Sequence, residues 1–147
     1  MTTGQWNKTN SQPIRVLFDP TKNEAELYDS LAEEQCRRLT KINSSQLRRF
    51  FGEIKELYRQ FNSLTVDKNE EETEKVYHEK IEPLFKMVRS KVSYATRAGG
   101  QAKLPRDFAQ LLSEGISKVK THQHFKRFVL HLEAVVGFMY GSEKVGR

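Results

Sequence analysis

The sequence predicts an all-α fold, a compact bundle of about five helices behind a flexible N-terminal tail, and three observations carry that expectation. Apolar residues recur at helical spacing in five separate stretches. Two of these, Leu47 to Phe61 and Phe125 to Met139, repeat the separations 3, 1, 3, 3, 1, 3. One face of a helix produces that series and a strand does not. Finally, no run alternates over strand length, and no internal repeat or heptad array competes. At 147 residues and 37% hydrophobic, the chain is long enough for one buried core. The expected organisation is a flexible tail over residues 1–23 and a single helical domain over 24–147.

Met1 to Asn23 is rich in Thr, Asn, Ser and Gln. Its one cohesive piece, Ile14 to Phe18 between Pro13 and Pro20, reads as a short extended segment able to dock on the body. The first helix is expected over Glu24 to Leu39, with acids near its start and Arg37 and Arg38 at its end, as the helix dipole favours. Cys36 lies on its apolar stripe and reads as a small buried hydrophobe. Ser44 or Ser45 is the expected cap of the second helix.

The third helix is expected to start after Asp67 as cap, with Glu70, Glu71 and Glu72 in its first turns, and to run to about Ala98 before Gly99-Gly100. Pro83 inside it removes a backbone hydrogen bond and crowds the preceding turn, so a kink or break is expected near Glu79 to Glu82. Pro105 opens the fourth helix, Thr121 caps the fifth and Gly141 closes it. The expected core is Leu31, Phe51, Ile54, Leu57, Val88, Val92, Leu112, Phe128, Leu132 and Val135.

Charge is segregated along the chain. The formal net charge is +6, which favours an anionic partner, nucleic acid first. Leu64 to Glu82 holds seven acids against three lysines, whereas Pro83 to Arg106 holds six cations and no acid. Winding the second helix at about 100° per residue gathers Arg48, Lys55 and Arg59 on one flank and leaves Arg49, Glu53 and Glu56 on the other. Gly52 falls beside the basic flank, where a missing side chain would admit another backbone. Past Pro83, Lys86, Arg89 and Arg97 share the polar face of the third helix, and Lys91 and Tyr94 fall on the opposite flank. Arg48, Lys55, Arg59, Lys86, Arg89, Lys91 and Arg97 are the candidate nucleic-acid-binding residues. A bundle that buries both apolar stripes is expected to bring the two basic faces into a single groove, with Lys91 as a second contact and Tyr94 as packing.

Catalytic chemistry finds little to work with. His78, His122, His124 and His131 are dispersed, and no HExxH or cysteine pair completes a metal site. Cys36 on an apolar stripe is a poor nucleophile and has no disulfide partner in the chain. Gly99-Gly100 matches neither a P-loop nor a dinucleotide fingerprint. No enzyme activity, metal or cofactor is expected. No apolar run approaches the length of about 20 residues that spans a bilayer, and the N-terminus lacks signal-peptide architecture, so no membrane role and a cytoplasmic location are expected.

Three stretches carry a resemblance: SSQLRRFFGEIKELY (44–58), LFKMVRSKVSYATRAGG (84–100) and FKRFVLHLEAVVGFMYG (125–141). In this order they resemble the small helical subunit of the Csm complex, the type III-A CRISPR effector, over most of Lys41 to Gly141. The shared features are the Ser-Gln ahead of a basic-aromatic cluster, the Lys91, Tyr94-Ala95, Arg97 element, and Phe125 and Phe128 followed by Glu133-Ala134.

The resemblance implies a non-catalytic helical bundle in antiviral defence, present in several copies that stack beside other Csm subunits. It implies a basic surface lining the channel for guide RNA and target RNA, which binds phosphate without regard to sequence, and self-association. A helical DNA-binding regulator is one alternative, disfavoured because no helix pair shows the 3 to 4-residue connection of a helix-turn-helix. A helical assembly protein without direct RNA contact is the other.

Overall fold

The computed structural model describes residues 14–97 and 104–146, and its architecture is helical, as the periodicity predicts. The first helical stretch is broken into α1 (Glu24–Leu27) and α2 (Ser30–Arg37), because Tyr28 and Asp29 leave helical backbone geometry. A two-residue strand β1 (Ile42–Asn43) precedes α3 (Ser44–Leu64). The cap of α3 is Asn43, whose Oδ1 accepts from the N–H groups of Ser45 and Gln46 at 2.8 and 3.3 Å, and not Ser44 or Ser45. The next helix, α4 (Glu70–Val76), is likewise capped by Asn69 and not by Asp67. Asn69 and Glu72 exchange hydrogen bonds with each other's backbone N–H, satisfying two otherwise unpaired donors.

The kink expected near Pro83 takes the form of a π-helical turn, Tyr77–Ile81, between α4 and α5 (Glu82–Ala95). Pro83 has no N–H to give the carbonyl of Glu79, and the preceding Glu82 N–H reaches back five residues to Tyr77. The turn widens instead of breaking. Helix α5 ends at Ala95, short of the expected Ala98; Gly99 and Gly100 lie outside the described residues. Pro105 is the residue outside α6 (Arg106–Lys118), not its first helical position. Thr121 caps α7 (His122–Gly141) as expected, its Oγ1 accepting from His124 N–H at 3.1 Å. A second two-residue strand, β2 (Val145–Gly146), pairs parallel with β1 through Ile42 with Val145 and Asn43 with Gly146. Two residues are too short for any alternation to announce them.

Helix α7 packs against α2, α3 and α6, and Phe125 at its first turns meets the rings of Phe61, Tyr77 and Phe85 at 5.8, 5.3 and 4.9 Å between centroids. Each such buried aromatic stabilises the fold by roughly 1.5–3 kcal/mol. Of the expected core, Leu31 and Phe51 are only half-buried and the other eight residues are buried.

The docking expected of the extended segment Ile14 to Phe18 is present. Phe18 is fully buried, edge-on to Phe128 at 5.2 Å. Gln110 both accepts from Ile14 N–H and donates to Ile14 C=O, each at 3.0 Å, and Gln35 does the same for Leu17 N–H and Arg15 C=O at 2.7 and 3.2 Å. Two glutamine side chains thus stand in for a neighbouring strand. Ile14 to Pro20 belongs to the body, because its one aromatic fills the core and its backbone is satisfied; residues 1–13 lie outside the described residues.

Candidate nucleic-acid interface

The seven candidate cations do not converge on one groove. On α3, Glu53 reaches Lys91 of α5 at 2.6 Å, whereas Lys55 reaches Glu133 of α7 at 3.1 Å. The acidic flank of α3 therefore faces α5, and the flank with Arg48, Lys55 and Arg59 faces α7. On α5, Arg89 donates to Ser113 Oγ of α6 at 3.2 Å. The expected groove fails because the two basic faces lie on the outer flanks of the α3/α5 pair, on separate edges of the bundle. Gly52 is also not a point of close approach: a Cβ built there meets nothing within 4 Å.

Each edge has its own electrostatics. At the α3/α7 edge, Arg59 is held by both oxygens of Glu56 and Lys55 by Glu133, while the exposed Arg48 has a long 3.5 Å contact to Ser44 Oγ. At the α5/α6 edge the picture differs. Exposed Arg89 and Arg97 lean on a serine hydroxyl and on the Tyr94 ring, the guanidinium of Arg97 lying 3.8 Å from the ring centroid. Arg97 also donates to Tyr94 C=O at 3.0 Å. Winding α6 at about 100° per residue puts Arg106, Ser113 and Ser117 on the flank that meets α5 and sends Asp107 and Glu114 to the far flank. There Asp107 binds Thr40 and Glu114 binds Gln110. The acid on the α5 side, Glu82, stands one turn before Lys86 and is taken up by His78 at 2.8 Å.

Lys86 has a different employment. Its Nζ donates to the carbonyls of Ile116 and Val119, both at 2.8 Å, and so caps the C-terminus of α6. Desolvation, with Lys120 and Arg89 adding repulsion, pulls its pKa below that of an ordinary lysine. Lys86 shapes the edge rather than offering a free charge. Arg106 and the exposed Lys120, absent from the candidate set, join this edge. The signal that could have found them is the missing acid on that flank of α6. Tyr94, expected as packing, is 62% exposed.

The remaining titratable groups are mostly structural. His131 is fully buried, its Nδ1–H donating to Leu27 C=O at 2.7 Å, and burial holds its pKa below the ordinary value. Cys36 is buried, as expected. The histidines are less dispersed than the sequence suggests: His122 Nε2 lies 2.6 Å from Glu70 and 3.6 Å from Glu74, across some 50 residues of chain.

The regulator alternative needed a short helix connection, and one exists: α6 and α7 are joined by Val119 to Thr121 alone. Yet α7 is built into the core, burying Phe128, Leu132, Val135 and Met139, and a recognition helix must present its side chains to a groove. Burial, not connection length, disfavours that reading. No helix among the described residues is long and apolar enough to cross a membrane.

A family model described as Csm2 Type III-A matches residues 22–142. No curated protein matches the chain, and no solved structure does.

Proposed function

The chain belongs to the Csm2 Type III-A family, small subunits of the type III-A CRISPR effector complex, and from that premise we propose that it is a non-catalytic RNA-binding subunit whose α5/α6 edge lies along the phosphate backbone of guide and target RNA. One observation carries this reading: Arg89, Arg97, Arg106 and Lys120 line an edge with Ser93, Ser113 and Ser117, and among the described residues none of these four cations is paired with a carboxylate. Hydroxyls add neutral donors beside the charges, and nothing on this edge reads bases through a groove-filling helix. Such a surface binds phosphate irrespective of sequence and leaves the reading to base pairing. The seven candidates then divide. Arg89 and Arg97 are the principal contacts, Arg48, Lys55, Arg59 and Lys91 are secondary ones, and Lys86 acts through the shape of α6.

The subunit works in the cytoplasm without a catalytic step of its own, and stacks with neighbouring subunits and with copies of itself. Supporting this, Leu84, Met87 and Tyr94 fall on the flank of α5 opposite Arg89 and are 47%, 51% and 62% exposed. Light scattering that gives a strict monomer at high concentration would count against self-association.

The test is binding of single-stranded and duplex RNA by the double variant Arg89→Glu/Arg97→Glu across a salt series. Binding is expected to be lost without sequence preference while the melting temperature holds, and each single neutralisation lowers the salt slope by roughly one. A double variant that binds RNA as the parent does would place the interface elsewhere. RNA-free behaviour of the parent at low salt would favour the pure assembly role.

A further inference from the structure

We propose that Glu70, Glu74 and His122 form a site for a single first-row divalent metal ion of the zinc class, which clips the N-terminus of α4 to the N-terminus of α7. One ligand atom from each residue comes within 4.8 Å of the others. His122 Nε2 is 2.6 Å from Glu70 Oε2 and 3.6 Å from Glu74 Oε1. Ligands bound at about 2.0–2.2 Å in a tetrahedron stand about 3.3 Å apart, so the two His122 pairs need to shift by less than about 1 Å and the two carboxylates by no more than about 1.5 Å. Three protein donors leave one position for water.

His122 is fixed before any ion arrives. It is 9% exposed, tilts against the Phe61 ring at 5.9 Å between centroids, and has its backbone N–H bound by Glu74 Oε1 at 3.3 Å. Glu74 is oriented from its other side: its Oε2 lies 2.6 Å from His78 Nε2, and His78 Nδ1 lies 2.8 Å from Glu82. A ligand carboxylate held by an outer imidazole that is itself held by a second carboxylate is the arrangement that tunes metal ligands. Here it is supplied by residues spaced four apart along one helical run, Glu70, Glu74, His78 and Glu82, with the π-helical turn inside it.

A separate observation concerns α4, which buries none of its own side chains. Without an apolar anchor, its first turns are tied to the bundle through Glu70 and Glu74 to His122 and Gln123. Two carboxylates around one imidazole leave surplus negative charge at this tie, and a dication neutralises it. The imidazole selects zinc-class ions over magnesium or calcium, which prefer all-oxygen shells.

The experiment uses the full chain, stripped with a chelator and then titrated with ZnCl2, CoCl2 or MgCl2, reading melting temperature, calorimetric stoichiometry and the visible absorption of bound cobalt. One zinc per chain, a rise in melting temperature of roughly 8–11 °C at a hundredfold excess over Kd, and no response to magnesium are expected. Glu70→Gln and His122→Gln should each weaken zinc binding tenfold or more and alter the cobalt spectrum. Glu70 is 69% exposed at its side chain, so its variant folds, and the zinc stoichiometry and cobalt spectrum of that variant decide the matter even if the His122 variant misfolds. No saturable zinc binding, or binding and spectrum unchanged in Glu70→Gln, overturns the proposal; the latter marks adventitious binding at the other histidines.

Discussion

Gly115→Ala is expected to destabilise the protein, against the general rule that alanine improves a helix. Gly115 lies in α6, and a Cβ there would stand 2.1 Å from Phe128 Cε1 and 2.8 Å from its Cδ1. Carbon atoms rest about 3.5–4.0 Å apart, so the ring or the helix must give way by more than about 1.4 Å. Phe128 has nowhere to go: it is fully buried between the rings of Phe18 and Phe85 at 5.2 and 5.9 Å. Overpacking of this kind costs about 1–3 kcal/mol, set against a helix-propensity gain of about 1 kcal/mol. A clash this deep falls toward the upper end, so the net loss is about 1–2 kcal/mol, a fall in melting temperature of roughly 3–8 °C for a chain of this size. Gly52→Ala is the internal control. Its Cβ meets nothing, the site is exposed in mid-helix, and the gain of up to about 1 kcal/mol should appear undiminished. Thermal and urea melts of the two variants should move in opposite directions. If Gly115→Ala is as stabilising as Gly52→Ala, the contact between α6 and Phe128 is not as described. Phe128→Leu should be less damaging in the Gly115→Ala background than in the parent, a coupling that a double-mutant cycle reads directly.

Other expectations follow from single side chains. Ile54→Ala removes a fully buried residue and should cost about 2–5 kcal/mol in urea unfolding; a change under about 1 kcal/mol would contradict its place in the core. Lys86→Met loses two charge-assisted bonds to the Ile116 and Val119 carbonyls and should destabilise by about 1–3 kcal/mol, whereas Arg97→Met should stay within about 0.5 kcal/mol of the parent. An equal effect of the two would remove the capping role of Lys86. For His131 the sign is set by burial, which lowers its folded pKa below the unfolded value of about 6.5. Above that pH both states hold it neutral. As pH falls below it the unfolded chain takes up a proton that the native one refuses, and stability declines until the native pKa is passed. His78 works the other way, since Glu82 first and Glu74 second raise its folded pKa, and its contribution is lost as pH rises through that value. The stability loss between about pH 7 and 5 should therefore shrink in His131→Leu; an unchanged loss would show that His131 does not titrate as described.

The apolar face of each long helix was legible in sequence because it depends on one period, and Ile54, Val88 and Leu132 are buried where that period puts them. Thr121 was legible as a cap to the residue, but the caps of α3 and α4 only as neighbourhoods. Asn43, Ser44 and Ser45 are adjacent and all able to cap, and only the backbone path selects Asn43. Ile14 to Phe18 was legible as an extended segment able to dock, but not where it docks, because its partners, Gln35 and Gln110, are far off in the chain. The interface was half legible. Which cations share a flank follows from winding one helix, but which flank meets which neighbour is a property of the pair. The Glu53 to Lys91 contact, which turns the basic flank of α3 away from α5, spans 38 residues.

The same limit explains why a net charge is a poor measure of a phosphate-binding surface in a helical bundle. The carbonyls at a helix C-terminus carry partial negative charge and lack intrahelical donors, and a basic chain supplies those donors from within. Lys144 binds the carbonyls of Cys36 and Leu39 at 2.6 and 2.7 Å and Lys86 those of Ile116 and Val119, while Lys118 and Arg127 serve the carbonyls of Phe18 and Pro20 in the extended N-terminal segment. Moving any of these to a phosphate exposes buried carbonyls, a penalty of about 1–3 kcal/mol. Lys55, Arg59 and Lys91 would instead exchange a surface carboxylate, held by no more than about 1 kcal/mol, for a phosphate. Among the described residues Arg89 and Arg97 have no carboxylate to release: one leans on a hydroxyl and the other on an aromatic ring, and both can keep that contact while a phosphate approaches the remaining N–H groups. The order in which cations are available to a phosphate is thus set by what each one must give up.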